Sequence, residues 1–182
     1  MSKKITIKNI ENMGLYYLDR YSAPTPHFKT VMLRKIKRRC ARQDIPYESE
    51  YADLLDQVIL KFQNYGYLDD ATYARAVIKS QLNNGASKAK IKSKLITKGI
   101  DITQIDAYFS DYIDETDYSA KDLEIEAGIR FIKKKRIGCY AKDTVYDQEK
   151  ALRQLAYAGY SYHMAKQLLE MSADEADAIL YR

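Results

Sequence analysis

Residues 95–105 read LITKGIDITQI, and residues 155–165, 60 positions later, read LAYAGYSYHMA. Both stretches contain an apolar segment, a glycine, a second apolar residue and a polar residue, Asp101 or Ser161, before a new apolar stripe begins. Glycine favours the end of a helix, and Asp or Ser favours the start of the next one. Each stretch therefore predicts the end of one helix, a tight turn and the start of another.

A fainter copy of this pattern lies nearer the start of the chain. Phe28 and Met32 correspond to Ile91 and Leu95 at a spacing of 63 residues, and each pair follows a turn-forming segment. Three copies with a period near 60 predict three tandem repeats of three helices each. We expect residues 1–49 to hold the first two helices of repeat one, whose third helix runs on to about residue 65. We expect residues 50–112 to hold that third helix and repeat two, and residues 113–182 to hold repeat three.

The composition and the spacing of apolar side chains support helices. Only 7 glycines and 3 prolines in 182 residues leave few turns for a protein made of many short strands. Within residues 70–83, Tyr73, Ala74, Val77 and Ile78 form a stripe at helical spacing. No stretch shows the alternating pattern of a strand. The predicted fold class is all-α.

The sequence argues against a membrane protein and against a disulfide-rich secreted protein. Its longest stretch without Asp, Glu, Lys or Arg runs from Gln154 to Ala165, well short of the roughly 20 residues that span a bilayer. The two cysteines, Cys40 and Cys139, are too few for a disulfide framework or a cysteine-based zinc site. We therefore expect a cytoplasmic protein without a membrane partner.

No pattern of catalytic or metal-binding residues is present in the sequence. No glycine is followed by lysine, which excludes a phosphate-binding P-loop, and His27 and His163 lie far apart without ligands at metal spacing. The pair Asp69 and Asp70 could serve acid–base chemistry, but its place at the start of a helix is explained by capping. We expect no cofactor, no metal, no catalytic residue and no enzymatic activity.

A cluster of basic side chains occurs in each predicted repeat. The candidate contact residues are Arg34, Lys37, Arg38 and Arg39 in repeat one, Arg75, Lys79, Lys88, Lys90, Lys92, Lys94 and Lys98 in repeat two, and Lys133, Lys134, Lys135 and Arg136 in repeat three. Residues 71–100 contain no acid, whereas residues 101–126 contain nine acids and one lysine. Cations spaced in this way suit contacts to phosphates, without readout of base sequence.

Simpler explanations of these charges remain open. The blocks of alternating sign could be solvated helix faces, and the run from Lys133 to Arg136 also suits the negative end of a helix dipole. Paired helices around a glycine turn also fit a stand-alone helix-turn-helix regulator that binds DNA. A helical adaptor that binds only protein is a third possibility.

Several motifs together resemble the RecX family. Residues 66–74 (GYLDDATYA), 84–87 (NGAS) and 94–101 (KLITKGID) are similar to its central signature. Residues 17–39 and the stretches KKKRIG (133–138) and LAYAGYSY (155–162) resemble its alphaproteobacterial form. The signature residues expected to be structural are Gly66, Tyr67, Leu68, Asp69, Asp70 and Gly99.

The resemblance implies both an architecture and a partner. The family fold is an elongated, curved array of three three-helix repeats. Its members bind the RecA recombinase and its filament on single-stranded DNA, repress ATPase activity, strand exchange and filament growth, and take part in DNA repair, recombination and the SOS response. The resemblance also implies a monomer that binds DNA weakly and without sequence preference.

Overall fold

The computed structural model describes residues 4–142 and 147–181, and its regular secondary structure there is entirely helical. The helices are α1 (Ile7–Leu18), α2 (Thr25–Gln43), α3 (Glu50–Asn64), α4 (Asp70–Asn83), α5 (Lys88–Thr97), α6 (Ile102–Asp114), α7 (Ala120–Lys135), a short 3₁₀ segment (Gly138–Tyr140), α8 (Gln148–Tyr157), α9 (Tyr162–Glu170) and α10 (Ala173–Leu180). No strand occurs in the described ranges, so the all-α prediction is confirmed. None of the helices described there combines the length and the apolar character needed to cross a bilayer.

The chain divides into two compact units. Unit 1 comprises Met1–Ala74 with Thr97–Asp101, and unit 2 comprises Arg75–Ile96 with Ile102–Arg182. The boundaries expected for the three repeats stay a prediction. The connection from α7 to α8 contains the 3₁₀ segment, and its residues 143–146 lie outside the described part.

Unit 1 is built around the packing of α1, α2 and α3. The rings of Phe28 on α2 and Phe62 on α3 lie 5.9 Å apart between centroids. Gly14 on α1 faces both rings, and a Cβ there would come within 2.7 Å of Phe62. The absence of a side chain at Gly14 thus lets α1 approach closely enough to close the core over the two aromatic rings.

Unit 2 has its own core between α7, α8 and α9. Ile129, Ile132, Leu155 and Leu168 are fully buried there. Gly128 on α7 lies directly against the Leu168 side chain, so α7 and α9 also meet at a glycine. The stretch 155–165 that repeats the LITKGIDITQI pattern runs from the end of α8 into α9 and includes the buried Leu155 and Ala165, so the two aligned stretches have the same helix–turn–helix form.

The two aligned glycines occupy equivalent contacts. In unit 1, a Cβ on Gly99 would lie 2.8 Å from Cβ of Pro26, in the first turn of α2. In unit 2, Gly159 lies against the Oγ of Ser87, just before α5, and the Ser87 N–H donates to the carbonyl of Ala158 (3.3 Å). In the repeats predicted from the sequence α2 and α5 correspond to each other, and the same turn-to-helix contact occurs at both helices.

Two helices begin at caps formed by residues that are close together in the sequence. The Ser87 hydroxyl accepts the N–H of Lys90, and Ser172 with Glu175 forms a reciprocal capping box. That second box begins α10, a fourth helix in the third repeat. The period of 60 did not predict α10, since neither earlier repeat has an equivalent helix.

Candidate polyanion interface

The outward face of α2 carries three exposed cations. Arg34, Lys37 and Arg38 lie opposite the fully buried stripe of Phe28, Met32 and Ile36, in the arrangement that the sequence predicted. The Lys37 ammonium lies 5.3 Å from the ring centroid of Tyr47. None of the carboxylates in the described part of the chain forms an ion pair with these three residues. Their charges are therefore available to an external partner.

A second basic face of α2 borders a groove against α1. Cations line it from the α2 side, and the α1 side contributes polar and aromatic side chains. The lining residues of this groove, about 810 Å³ in volume, are Asn9, Asn12, Met13, Tyr16, Lys35, Arg38, Arg39, Arg42 and Gln43. Of these four cations, Arg38 and Arg39 are among the candidates predicted from the sequence, Arg42 continues the same basic run, and Lys35 was missed. The spacing of the four cations at i, i+3, i+4 and i+7 could have shown that they share a face.

Most cations of the second repeat make contacts within the protein. Two of them form ion pairs, Arg75 with Glu115 (2.8 Å) and Lys92 with Asp106. The Lys90 ammonium donates to the carbonyl of Tyr157 (3.0 Å), and the Lys88 ammonium lies 5.2 Å from the ring centroid of Phe109. The Lys98 ammonium lies 3.2 Å from Nε2 of His27. Partial burial and the Lys98 ammonium lower the pKa of His27. Of the candidates in this repeat, Lys79 and Lys94 are exposed and form no ion pair with the described residues.

Lys133 is held inside the third repeat. Its ammonium donates to Asp177 (3.0 Å) and to the Tyr181 hydroxyl (3.1 Å), and it lies 4.9 Å from the ring centroid of Tyr140. The Tyr140 hydroxyl also donates to Asp177 (2.6 Å). The Tyr140 hydrogen bond, followed by that of Lys133, lowers the pKa of Asp177. Lys133 therefore links α7 to α10 through Asp177. The exposed cations among residues 133–136 are Lys134, Lys135 and Arg136.

This cluster predicts a pH-dependent contribution to stability. A carboxyl whose pKa is lower in the folded state stabilises the fold above its unfolded pKa, near 4, and loses that contribution as the pH falls. We expect Asp177→Asn to lower the thermal midpoint of unfolding at pH 7. We expect the midpoints of the variant and the wild type to become equal as the pH falls below about 4. Thermal unfolding of both proteins between pH 7 and pH 3 measures this. A difference independent of pH would contradict the role of the Asp177 charge.

The segment from Gly66 to Asp70 joins α3 to α4 and anchors α2. Leu68 is buried in the unit 1 core, and Asp69 accepts the N–H of Thr72 (2.9 Å), as expected of a helix cap. The Asp70 carboxylate accepts the N–H of Thr25 (2.6 Å) at the start of α2. Sequence reasoning missed this second cap because the two residues are 45 positions apart. The segment therefore stabilises the helix that carries the outward cations.

Removal of this long-range cap gives a second test. Asp70→Ala leaves the Thr25 N–H without its acceptor, and loss of such a cap costs about 1–2 kcal/mol. We expect that decrease in the free energy of unfolding by urea denaturation, with a much smaller one for Asp70→Asn, whose amide oxygen can still accept. Equal stability of Asp70→Ala and wild type would show that the bond contributes nothing.

These features define an all-helical repeat protein with basic surfaces. Residues 69–108 match the family model described as RecX, second three-helix domain. The chain is 26% identical over 171 residues to the regulatory protein RecX of Myxococcus xanthus, covering 92% of this chain and 88% of that one. It is 30% identical over 125 residues to the regulatory protein RecX of Finegoldia magna, covering 65% of this chain but only 56% of the relative.

A solved structure supports the fold independently. The crystal structure of RecX from Lactobacillus salivarius superposes with a TM-score of 0.60 at 22% sequence identity, over 94% of this chain and 97% of that chain. The chain is therefore similar to RecX regulatory proteins along most of its length. RecX proteins are non-enzymatic regulators, and the expectation of no enzymatic activity agrees with this similarity. The alphaproteobacterial form suggested by the sequence is not established by these similarities.

Proposed function

We propose that this chain binds the RecA recombinase on its single-stranded DNA filament and represses ATP hydrolysis, strand exchange and filament growth. Similarity to RecX proteins over most of the chain carries the proposal. The outward face of α2 supports it, since Arg34, Lys37 and Arg38 are exposed there. A filament that contains DNA offers the phosphates that such cations contact.

The mechanism that fits a protein without catalytic groups is selective binding. A regulator shifts a filament toward an inactive state only by binding that state more tightly than the active one. The chain would act in the cytoplasm as a monomer, in proportion to its occupancy of the filament. Lys79, Lys94, Lys134, Lys135 and Arg136 are exposed and would add contacts in the second and third repeats.

Repression of ATP hydrolysis tests this proposal directly. RecA would hydrolyse ATP in the presence of a fixed amount of single-stranded DNA while the chain is added up to equimolar concentration. We expect strong repression at or below one chain per RecA, and we expect it to persist when single-stranded DNA is in excess. Repression that excess DNA relieves would instead indicate a stand-alone DNA-binding regulator that coats the strand.

A further inference from the structure

The groove between α1 and α2 shares only Arg38 with the three cations of the outward face of α2. Lys35, Arg38, Arg39 and Arg42 border it along one side of α2. At a rise of 1.5 Å per residue, these cations extend over about 10 Å, which is about three phosphate spacings of a stacked strand at ~3.4 Å each. No acidic residue is among the described residues that line the groove. Its charge therefore suits a short stretch of phosphate backbone.

An exposed aromatic ring also lines the groove. Tyr16 on α1 lines the groove and is 57% exposed, and the guanidinium of Arg20 lies 4.2 Å from its ring centroid. Tyr16 also lines an adjoining hollow with Leu15 and Tyr67, and Tyr67 is exposed as well. Exposed rings beside a basic groove are the pattern with which proteins hold single strands, because unpaired bases stack on aromatic faces.

We infer that the α1–α2 groove is a binding site for single-stranded nucleic acid, in which the α2 cations contact phosphates and Tyr16 stacks on a base. Paired bases in a duplex cannot present a face to Tyr16, so a single strand fits better than a double strand. The exposed Tyr16 ring likewise favours nucleic acid over an acidic peptide, because an acidic peptide would contact only the cations. The inference adds to the proposed function a location, the α1–α2 groove, where the chain itself contacts single-stranded DNA. Its test contains no RecA.

Binding of a fluorescein-labelled oligothymidine of about 20 nucleotides, long enough for typical site sizes, provides the test. Fluorescence anisotropy with the full chain would be measured between 50 and 200 mM salt. The charge variant is Arg39→Gln with Arg42→Gln, and its control is Lys121→Gln with Lys150→Gln, two exposed lysines in unit 2. We expect the charge variant to reduce the slope of log affinity against log salt by about 1.4, because each single-strand phosphate contact contributes about 0.7.

The stacking variant tests the aromatic part separately. We expect Tyr16→Ala to weaken binding about 10-fold and to leave the salt slope unchanged, because stacking involves no counterion release. The matched control is Tyr157→Ala in unit 2, which removes a ring that is 84% exposed and lies outside the groove. Circular dichroism of each variant shows whether it folds. Since Arg42 is exposed, Arg42→Gln alone keeps the charge test informative if the double variant unfolds.

The outcomes separate this inference from the proposed function. Absence of oligothymidine binding by the wild-type chain, or groove variants that bind like their controls, would overturn the strand site while leaving RecA repression possible. Groove variants that lose RecA repression but keep oligothymidine binding would assign the groove to a protein partner and would equally overturn it. Loss of binding in both groove variants but in neither control supports the site, whether or not RecA is repressed.

Discussion

Reversal of the outward face of α2 is expected to raise the concentration needed for half-maximal repression of RecA ATPase by about 100-fold. Arg34→Glu, Lys37→Glu and Arg38→Glu together replace three attractive contacts to a polyanion with three repulsive ones. All three residues are exposed, opposite the buried stripe of α2, so the variant should fold normally. The measurement is the steady-state ATPase rate at increasing ratios of chain to RecA.

A control of equal charge makes this result specific. Lys121→Glu, Lys142→Glu and Lys150→Glu change the net charge by the same amount at exposed positions of unit 2. We expect this variant to repress RecA within about threefold of wild type, because screened charges away from the contact have little effect. If both triple variants lose repression equally, net charge matters and the outward face of α2 is not the contact.

Gly159→Ala is expected to lower the free energy of unfolding by about 3 kcal/mol or more. Gly159 has a φ of +89°, where an alanine is strained by about 1–2 kcal/mol. Its new Cβ would also displace the Ser87 hydroxyl, which caps α5 and is fully buried, adding about 1 kcal/mol for the lost cap and more for overpacking. Urea denaturation followed by circular dichroism measures the change.

Gly66→Ala is the matched control for this prediction. Gly66 also has a positive φ, +72°, but a Cβ there would meet nothing within 4 Å. Only the backbone strain of about 1–2 kcal/mol should appear. Equal destabilisation by the two substitutions would show that the contact of Gly159 with the start of α5 contributes no stability.

The helices and many of their ends were predictable because their causes are local. The apolar stripe from Tyr73 to Ile78, the cap at Ser87 and the box of Ser172 with Glu175 each depend on residues within a few positions of one another. The period near 60 also brought out corresponding turns, because similar turns need the same sequence of glycine and cap. Local patterns therefore identified the all-α class without knowledge of tertiary packing.

The use of individual charged residues was not predictable in the same way. Lys133 was grouped with its three basic neighbours, but Asp177, 44 positions away, holds it against α10. Arg75 pairs with Glu115, just after α6, and Lys92 pairs with Asp106 in α6, and the helices that carry these cations reveal neither partner. The α1–α2 groove likewise depends on how two helices pack. Charge patterns along a sequence show where cations lie on a helix, but the packing of other helices decides which of them remain available.

Co-sedimentation of the chain with RecA filaments assembled beforehand on single-stranded DNA tests most directly whether the chain binds the filament. Free RecA and an equal amount of naked DNA are spun as separate controls. We expect saturable binding at or below one chain per RecA, with an affinity at least about 10-fold higher than for naked DNA, equivalent to ~1.4 kcal/mol. A chain that sediments equally with filament and naked DNA, or with neither, would contradict this expectation.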